Sequence, residues 1–151
     1  VLALYIMVSL LEEILMRGYI LRNLMYSFNK YLALILSSLL FSIMHGQNPD
    51  FNFLSFISLF LAGIKYGLPY MFTKNLWLPI AFHFSWNFFQ SLFGFNVSGL
   101  DTYSLIEFNI HEPNLINGGG FGFEESILCI VFEVIVIIGM FYVYTKKSSK
   151  N

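Results

Sequence analysis

The feature that most constrains this chain is a succession of five apolar segments separated by polar loops. A helix that crosses a bilayer needs about 20 consecutive, mostly apolar residues, and each of these segments meets or approaches that length. They lie at residues 1–25, 31–45, 51–70, 76–95 and 126–145. The sequence therefore predicts an all-α fold, a polytopic transmembrane helical bundle with about five spans and the lipid bilayer as its surroundings.

Composition supports a membrane protein and excludes other classes. Of the 151 residues, 57% are hydrophobic and only 11% are charged, whereas soluble domains carry about 25% charged residues. Disorder is excluded because it needs low hydrophobicity and high net charge. The net charge of −1 offers no basic surface, so no nucleic-acid partner is expected. The single cysteine, Cys129, excludes an intrachain disulfide and a cysteine-based zinc site.

The ends of the chain suggest its domain organisation. The sequence starts at Val1, inside or just before the first apolar segment, without the basic region or cleavage site of a signal peptide. We therefore expect an N-terminally truncated fragment whose parent has further membrane helices upstream. Residues 1–145 are expected to form one membrane domain, followed by a basic tail at residues 146–151.

The distribution of basic residues predicts an orientation, because loops rich in lysine and arginine stay in the cytoplasm. Five alternating spans place seven of the eight basic residues on one side, while Arg17 lies within a span. The seven are Arg22, Lys30, Lys65, Lys74, Lys146, Lys147 and Lys150. We therefore expect a cytoplasmic C-terminus, with Lys65 extending its side chain to the cytoplasmic surface.

Charged residues inside apolar segments usually face the protein interior and have a function. Glu13 and Arg17 are four residues apart, which suits an ion pair on one helical face. Glu12 points about 100° away from Glu13, so arginine neutralises one carboxylate and leaves the other as a candidate general base. The alternative is that both carboxylates only hold the bundle together.

Two further pairs repeat the four-residue spacing. His83 and Asn87 share a helical face, where both can donate hydrogen bonds to one point, as in an oxyanion hole. The alternative is a polar contact between membrane helices. Phe41 and His45 form the other pair, although a single histidine at a helix end can also be an ordinary interfacial residue.

Taken in order, these three groups resemble the CPBP family of intramembrane proteases, which includes the type II CAAX prenyl endopeptidases (Rce1-like) and many bacterial Abi proteins. The patterns are Glu-Glu-x-x-x-Arg, Phe-x-x-x-His and His-x-x-x-Asn, and they occupy residues 12–87. Flanking segments at residues 83–90 and 118–126 are similar to a bacterial Abi branch. The resemblance implies an integral protein of a bacterial plasma membrane.

The resemblance also implies a role for each residue. Glu12 would activate a water, His45 would position that water or share its proton, and His83 with Asn87 would stabilise the tetrahedral oxyanion. Glu13 and Arg17 would orient the first helix and tune Glu12, and Phe41 belongs to the histidine motif. No cofactor is expected, because the adjacent Asn87 suits an oxyanion hole better than a metal.

Alternatives remain open at this point. Two histidines and a glutamate could also bind zinc, although the His-Glu-x-x-His pattern of many zinc proteases is absent. A non-catalytic immunity or transport component could keep the same polar cluster, but a degenerate relative would be expected to lose Glu12 or a histidine. The expected substrate is a membrane-associated peptide or protein, with an unmodified peptide favoured over a prenylated one.

Four further residues or segments have no role in the candidate catalytic site. Glu133 is expected to lie against Arg17 or a polar cavity, and Cys129 to be inert. His111 is expected to be solvated in the long loop, and residues 118–122 are a glycine-rich, flexible run.

Overall fold

The computed structural model describes residues 1–106, 112 and 114–148, and within these ranges it is all-helical. The chain forms α1 (Leu2–Glu13), a π-helical segment (Ile14–Leu21), α2 (Arg22–Ser27) and α3 (Lys30–Met44). These are followed by α4 (Phe53–Thr73), α5 (Trp77–Leu92), a 3₁₀ turn (Phe123–Glu125) and α6 (Ile127–Ser148). In these described ranges the β pairing is limited to one isolated bridge between Val97 and Leu100. The predicted all-α fold is confirmed.

The helices coincide with the five apolar segments, but the span count is only partly supported. Two of the described helices are long and apolar enough to cross a membrane: α4, with a mean hydropathy of 1.3, and α6, with 2.6. By contrast, α3 has 15 residues and α5 has 16, so at 1.5 Å per residue each is about 22–24 Å long. A hydrocarbon core of about 30 Å exceeds that length, and the number of five spans stays a prediction.

Asparagine caps fix where two of the helices begin. The Asn29 side chain accepts a hydrogen bond from the Leu32 amide at the start of α3. The Asn52 side chain accepts from the amides of Leu54 and Ser55, and the Ser55 hydroxyl accepts a hydrogen bond from the Asn52 amide. This reciprocal capping box satisfies amides that the first helical turn would otherwise leave unpaired. The short turns before α3 and α4 therefore have defined ends.

Helices α3 and α4 approach each other closely through two glycines. A Cβ atom on Gly63 would lie 2.8 Å from the Ser38 Cα atom, and one on Gly67 would lie 2.4 Å from a Leu34 methyl. Small residues four apart allow backbones to pack in this way in membrane helices. The Ser42 hydroxyl adds a hydrogen bond of 2.7 Å to the Phe56 carbonyl. This tight pair brings the middle of α3 against the middle of α4, and the end of α3 against the start of α4.

The last helix differs from α4 in how much of it is covered. Only 11% of the most apolar window of α6 is buried within the protein, against 61% for α4. Large apolar side chains on α6, such as Ile135 and Ile138, are more than half exposed. Within the described residues α4 is therefore a central helix, whereas most of the surface of α6 is not covered by the rest of the protein.

Candidate active site

The first helix carries three of the predicted residues and changes its geometry where they occur. α1 ends at Glu13, and the π-helical segment that contains Arg17 starts at Ile14. Single π-helical turns within α-helices are rare and occur often at functional sites. The wider turn holds Glu13 and Arg17 inside the protein, where they are 0% and 2% exposed.

Arg17 joins this helix to α4. Its Nη1 atom lies 2.9 Å from Glu13 Oε1, and its Nη2 atom donates a hydrogen bond of 2.9 Å to the Gly63 carbonyl. The guanidinium carbon also lies 4.8 Å from the centre of the Phe41 ring. The predicted Glu13–Arg17 ion pair is therefore present, and it is fully enclosed.

Glu13 has a second partner, which the sequence did not indicate. His83 Nδ1 lies 2.8 Å from the same Glu13 Oε1 atom, so the ring donates its Nδ1 proton to the carboxylate. The imidazole also stacks on the Tyr66 ring, with centroids 4.9 Å apart and planes at 11°. Glu13 and Tyr66 together fix the His83 ring, and they direct its Nε2 atom towards Glu12, at 3.9 Å from Oε2.

His45 reaches the same oxygen from α3. It is the C-cap residue of that helix, where its Nδ1 donates a hydrogen bond of 2.8 Å to the Phe41 carbonyl. A carbonyl oxygen only accepts, so Nδ1 carries the proton. The Phe41 ring lies 4.8 Å from the imidazole. His45 Nε2 is then 4.0 Å from Glu12 Oε2.

Glu12 occupies the centre of this arrangement. Its side chain as a whole is 35% exposed. Its Oε2 atom is nevertheless buried and has no hydrogen-bond partner among the described residues. An unpaired buried oxygen costs about 1–3 kcal/mol, and a water held between Glu12 and the two histidines would satisfy it.

A cavity of about 190 Å³ surrounds this point. Glu12, His45, His83 and Asn87 all line it. Asn87 is 5% exposed and follows His83 by four residues on α5. The structure thus brings the four predicted catalytic residues to one cavity, with Glu13, Arg17 and Phe41 packed behind the histidines.

Among the residues that line this cavity and that sequence reasoning missed are Tyr66 and Glu124. Glu124 is 6% exposed, and its Oε2 atom accepts hydrogen bonds from the Ser98 amide and hydroxyl, at 2.8 and 2.9 Å. Trp86 donates to the other oxygen at 3.3 Å. In the sequence, Glu124 is one of several acidic residues in a long loop. Nothing in the sequence marks Tyr66 except that Gly63 and Gly67 lie near it on either side.

The glycine-rich run at residues 118–122 is packed against the protein. The Gly99 amide donates to the Phe121 carbonyl at 2.8 Å, and Phe121 is fully buried. Gly122 has a φ of 106°, and a Cβ atom there would lie 1.9 Å from the Asn96 carbonyl oxygen. Residues 118–122 were expected to be flexible, but they form a closely packed turn beside the cavity. His111, expected to be solvated, lies outside the described residues.

Lys65 does not extend to the surface as predicted, and Glu133 is buried as predicted but has Lys65 rather than Arg17 as its partner. Lys65 is 5% exposed, and its ammonium lies 2.9 Å from Glu133 Oε1 on α6. Glu133 is 1% exposed and accepts a second hydrogen bond from Ser58. Lys65 lies in the middle of α4, away from both ends of the helix. A carboxylate on the neighbouring helix α6 provides its counter-ion. Cys129 is fully buried beside Ser58, which agrees with a packing role.

The zinc alternative was tested against these residues. Both histidines donate their Nδ1 protons to oxygen, which is how zinc-binding histidines are usually oriented. However, their Nε2 atoms lie 3.9 and 4.0 Å from Glu12 Oε2, whereas ligands of a tetrahedral zinc are about 3.4 Å apart. Among the residues that the structure describes, no three His, Cys, Asp or Glu side chains form a metal-binding group.

Comparison with known proteins identifies the family. The family model for the type II CAAX prenyl endopeptidase Rce1-like proteins matches residues 1–89. The chain belongs to this family of membrane-embedded proteases. Comparisons with curated proteins and with solved structures found no match. The matched residues include all seven predicted site residues, while Glu124 and Glu133 lie beyond them.

Proposed function

We propose that this protein is an intramembrane glutamic endopeptidase, which hydrolyses peptide bonds in membrane-associated peptides or proteins without a metal cofactor. One observation carries the proposal: two histidine Nε2 atoms lie within 4.0 Å of a buried oxygen of Glu12 that has no hydrogen-bond partner within the described part of the chain. A carboxylate with free hydrogen-bonding capacity, next to two oriented imidazoles, is suited to activating a water.

Water activation begins at Glu12 and His45. In the neutral tautomer fixed by the Phe41 carbonyl, His45 Nε2 has a lone pair that accepts one hydrogen of the water. Glu12 accepts the other and removes it as the water oxygen attacks the carbonyl carbon of the substrate. The resulting carboxylic acid then protonates the departing amine, which returns Glu12 to its starting state.

The oxyanion is stabilised from α5. Glu13 accepts the Nδ1 proton of His83, and a second proton on Nε2 would give a cation that donates to the oxyanion. The Asn87 amide supplies a further donor from the same cavity.

The substrate of this site is proposed to be an unmodified peptide or a membrane protein. The resemblance to the bacterial Abi branch supports this choice and a location in a bacterial plasma membrane. A non-catalytic immunity or transport role is the competing function, and it would not require the three polar groups to meet at one cavity.

Metal dependence distinguishes the proposed mechanism from zinc catalysis. We expect purified protein, stripped of metal and checked by elemental analysis, to cleave a membrane peptide at the full rate. A zinc enzyme would lose activity to strong chelators and recover it with added zinc. Stoichiometric zinc that is required for cleavage would contradict the metal-free mechanism and leave a protease.

The oxyanion role of Asn87 predicts a selective loss of turnover. Asn87→Ala should lower kcat about 100- to 1000-fold with KM nearly unchanged, because one oxyanion donor acts mainly in the transition state. Steady-state kinetics on the same peptide measure both constants. Asn23→Ala, at an exposed position on α2, is the matched control. Unchanged kcat in Asn87→Ala would show that this amide does not contact the oxyanion.

The basic residues predict a cytoplasmic C-terminus. Reporter fusions after Lys30, Lys74 and Lys150 should all report cytoplasm, while one near Asn109, outside the described residues, should report the opposite side. Lys65 no longer contributes to this prediction, because it is buried against Glu133. A cytoplasmic signal from the Asn109 fusion would contradict five alternating spans.

A further inference from the structure

The buried ion pair between Lys65 and Glu133 is not used by the mechanism proposed above. The two side chains are 5% and 1% exposed, and neither is among the residues that line the catalytic cavity. Replacing a buried ion pair by apolar side chains of similar volume is often neutral or even stabilising. Stability alone therefore does not explain why this chain encloses a lysine and a glutamate between α4 and α6.

The Lys65 ammonium contacts two aromatic rings on different helices. It lies 4.7 Å from the centre of the Tyr66 ring on α4 and 4.5 Å from that of the Trp86 ring on α5. A cation is attracted to the face of an aromatic ring, and more strongly where water is excluded. Glu133 holds the ammonium at 2.9 Å from α6. The lysine thus connects a ring on α4 with a ring on α5, and α6 fixes its position.

Both rings also contact residues of the catalytic cavity. Tyr66 stacks on the His83 imidazole, with ring centroids 4.9 Å apart and planes at 11°. Trp86 follows His83 by three residues on α5, and its indole N–H donates a hydrogen bond of 3.3 Å to Glu124. Tyr66, His83 and Glu124 all line the cavity. A single aromatic ring therefore separates the Lys65 ammonium from one of the proposed catalytic residues.

From these contacts we propose that Lys65, held by Glu133, is a positioning residue of the catalytic site. It acts through Tyr66 and Trp86, which it draws together and which keep the His83 imidazole in its observed orientation. The catalytic role of His83 rests on the proposed function, whereas the contacts of Lys65 do not. The working site then extends beyond the family-matched residues 1–89 to a carboxylate on α6.

A neutral replacement of the pair tests this role. Lys65→Met combined with Glu133→Leu removes both charges and approximately keeps their volume, so the melting temperature in detergent should not fall. We expect kcat to fall about 10- to 100-fold, because a small displacement of a catalytic group can cost about 100-fold. KM should stay within about twofold of the wild type, since neither residue lines the cavity. A folded double variant with the kcat of the wild type would overturn the inference.

Two substitutions of Trp86 test the same contact without changing the ion pair. Trp86→Phe and Trp86→Leu both remove the donor to Glu124, but Trp86→Phe keeps an aromatic face for the Lys65 ammonium. Turnover of Trp86→Phe should be at least about threefold higher than that of Trp86→Leu. In the neutral double variant this difference should vanish. Equal turnover of the two in the presence of Lys65, or an unchanged difference in its absence, would overturn the inference.

Tryptophan fluorescence separates this inference from the proposed function. Trp77 is the second of two tryptophans and is exposed, so Trp77→Phe leaves an emission that reports on Trp86. In this background Lys65→Met with Glu133→Leu should shift the emission maximum, because the charge over the indole ring is removed. Unchanged emission would overturn the inference. Equal cleavage by wild type and Glu12→Gln would instead contradict the proposed function, and the fluorescence would still decide whether Lys65 acts on Trp86.

Discussion

Glu12→Gln should lower turnover by about 100-fold or more while leaving the fold intact. Glutamine keeps the size and shape of the side chain, but it cannot accept the proton of the attacking water, and general-base catalysis contributes about 10²–10⁴. Folding should be unchanged or improved, because Oε2 of Glu12 is a buried acceptor that has no partner among the described residues. Initial rates on a membrane peptide, together with melting curves in detergent, measure both effects.

A matched substitution distinguishes the loss of the general base from the general effect of removing a negative charge. Glu112→Gln removes a carboxylate at an exposed position of the loop, so its turnover should equal that of the wild type. Undiminished cleavage by Glu12→Gln would refute glutamate catalysis, with or without a metal. Loss of activity with loss of the folded protein would indicate that Glu12 is needed for structure.

Arg17→Ala should be among the most destabilising single substitutions in the chain, at a cost of roughly 3–5 kcal/mol. It removes the arginine partner of Glu13, which is 0% exposed, and also the hydrogen bond to the Gly63 carbonyl. Among the described residues, the hydrogen bond from His83 is then the one that remains to the Glu13 side chain. We expect lower folded yield, a lower melting temperature in detergent and loss of activity.

Arg22→Ala is the control for this experiment. Arg22 lies one and a half turns further along the same helix and is exposed, so its removal should change the melting temperature little. If Arg17→Ala melted at the same temperature as the wild type, the buried pair would not stabilise the fold. If activity fell without any change in stability, Arg17 would take part in the reaction instead of only supporting the catalytic residues.

Much of the fold could be predicted because apolar length is a local property of the sequence. All five apolar segments became helices, and the Glu13–Arg17 pair followed from spacing on a single helix. Which of the helices span the membrane could not be settled in this way. α3 and α5 are short, and the depth of a short helix depends on its neighbours.

Contacts between residues on different helices were harder to predict from the sequence. Lys65 and Glu133 are 68 residues apart, and nothing local in either segment indicates that they meet. The hydrogen bond between His83 and Glu13, the stacking on Tyr66 and the position of Glu124 likewise depend on how α1, α4 and α5 pack. Sequence reasoning identified the residue types that the chemistry needs, but not the contacts that orient them.

The Lys65–Glu133 pair has a consequence for how the protein is made. α4 is synthesised first, and a lysine in the middle of an inserting helix costs about 2.5–3.5 kcal/mol. Its counter-ion is encoded 68 residues later, which at about 5–20 residues per second is a delay of about 3–14 s. Throughout that interval Lys65 lacks the carboxylate partner that it has in the folded protein. The last helix, beyond the family-matched residues 1–89, therefore supplies the counter-ion of a helix that is made before it, and we expect its removal to weaken the membrane insertion of α4.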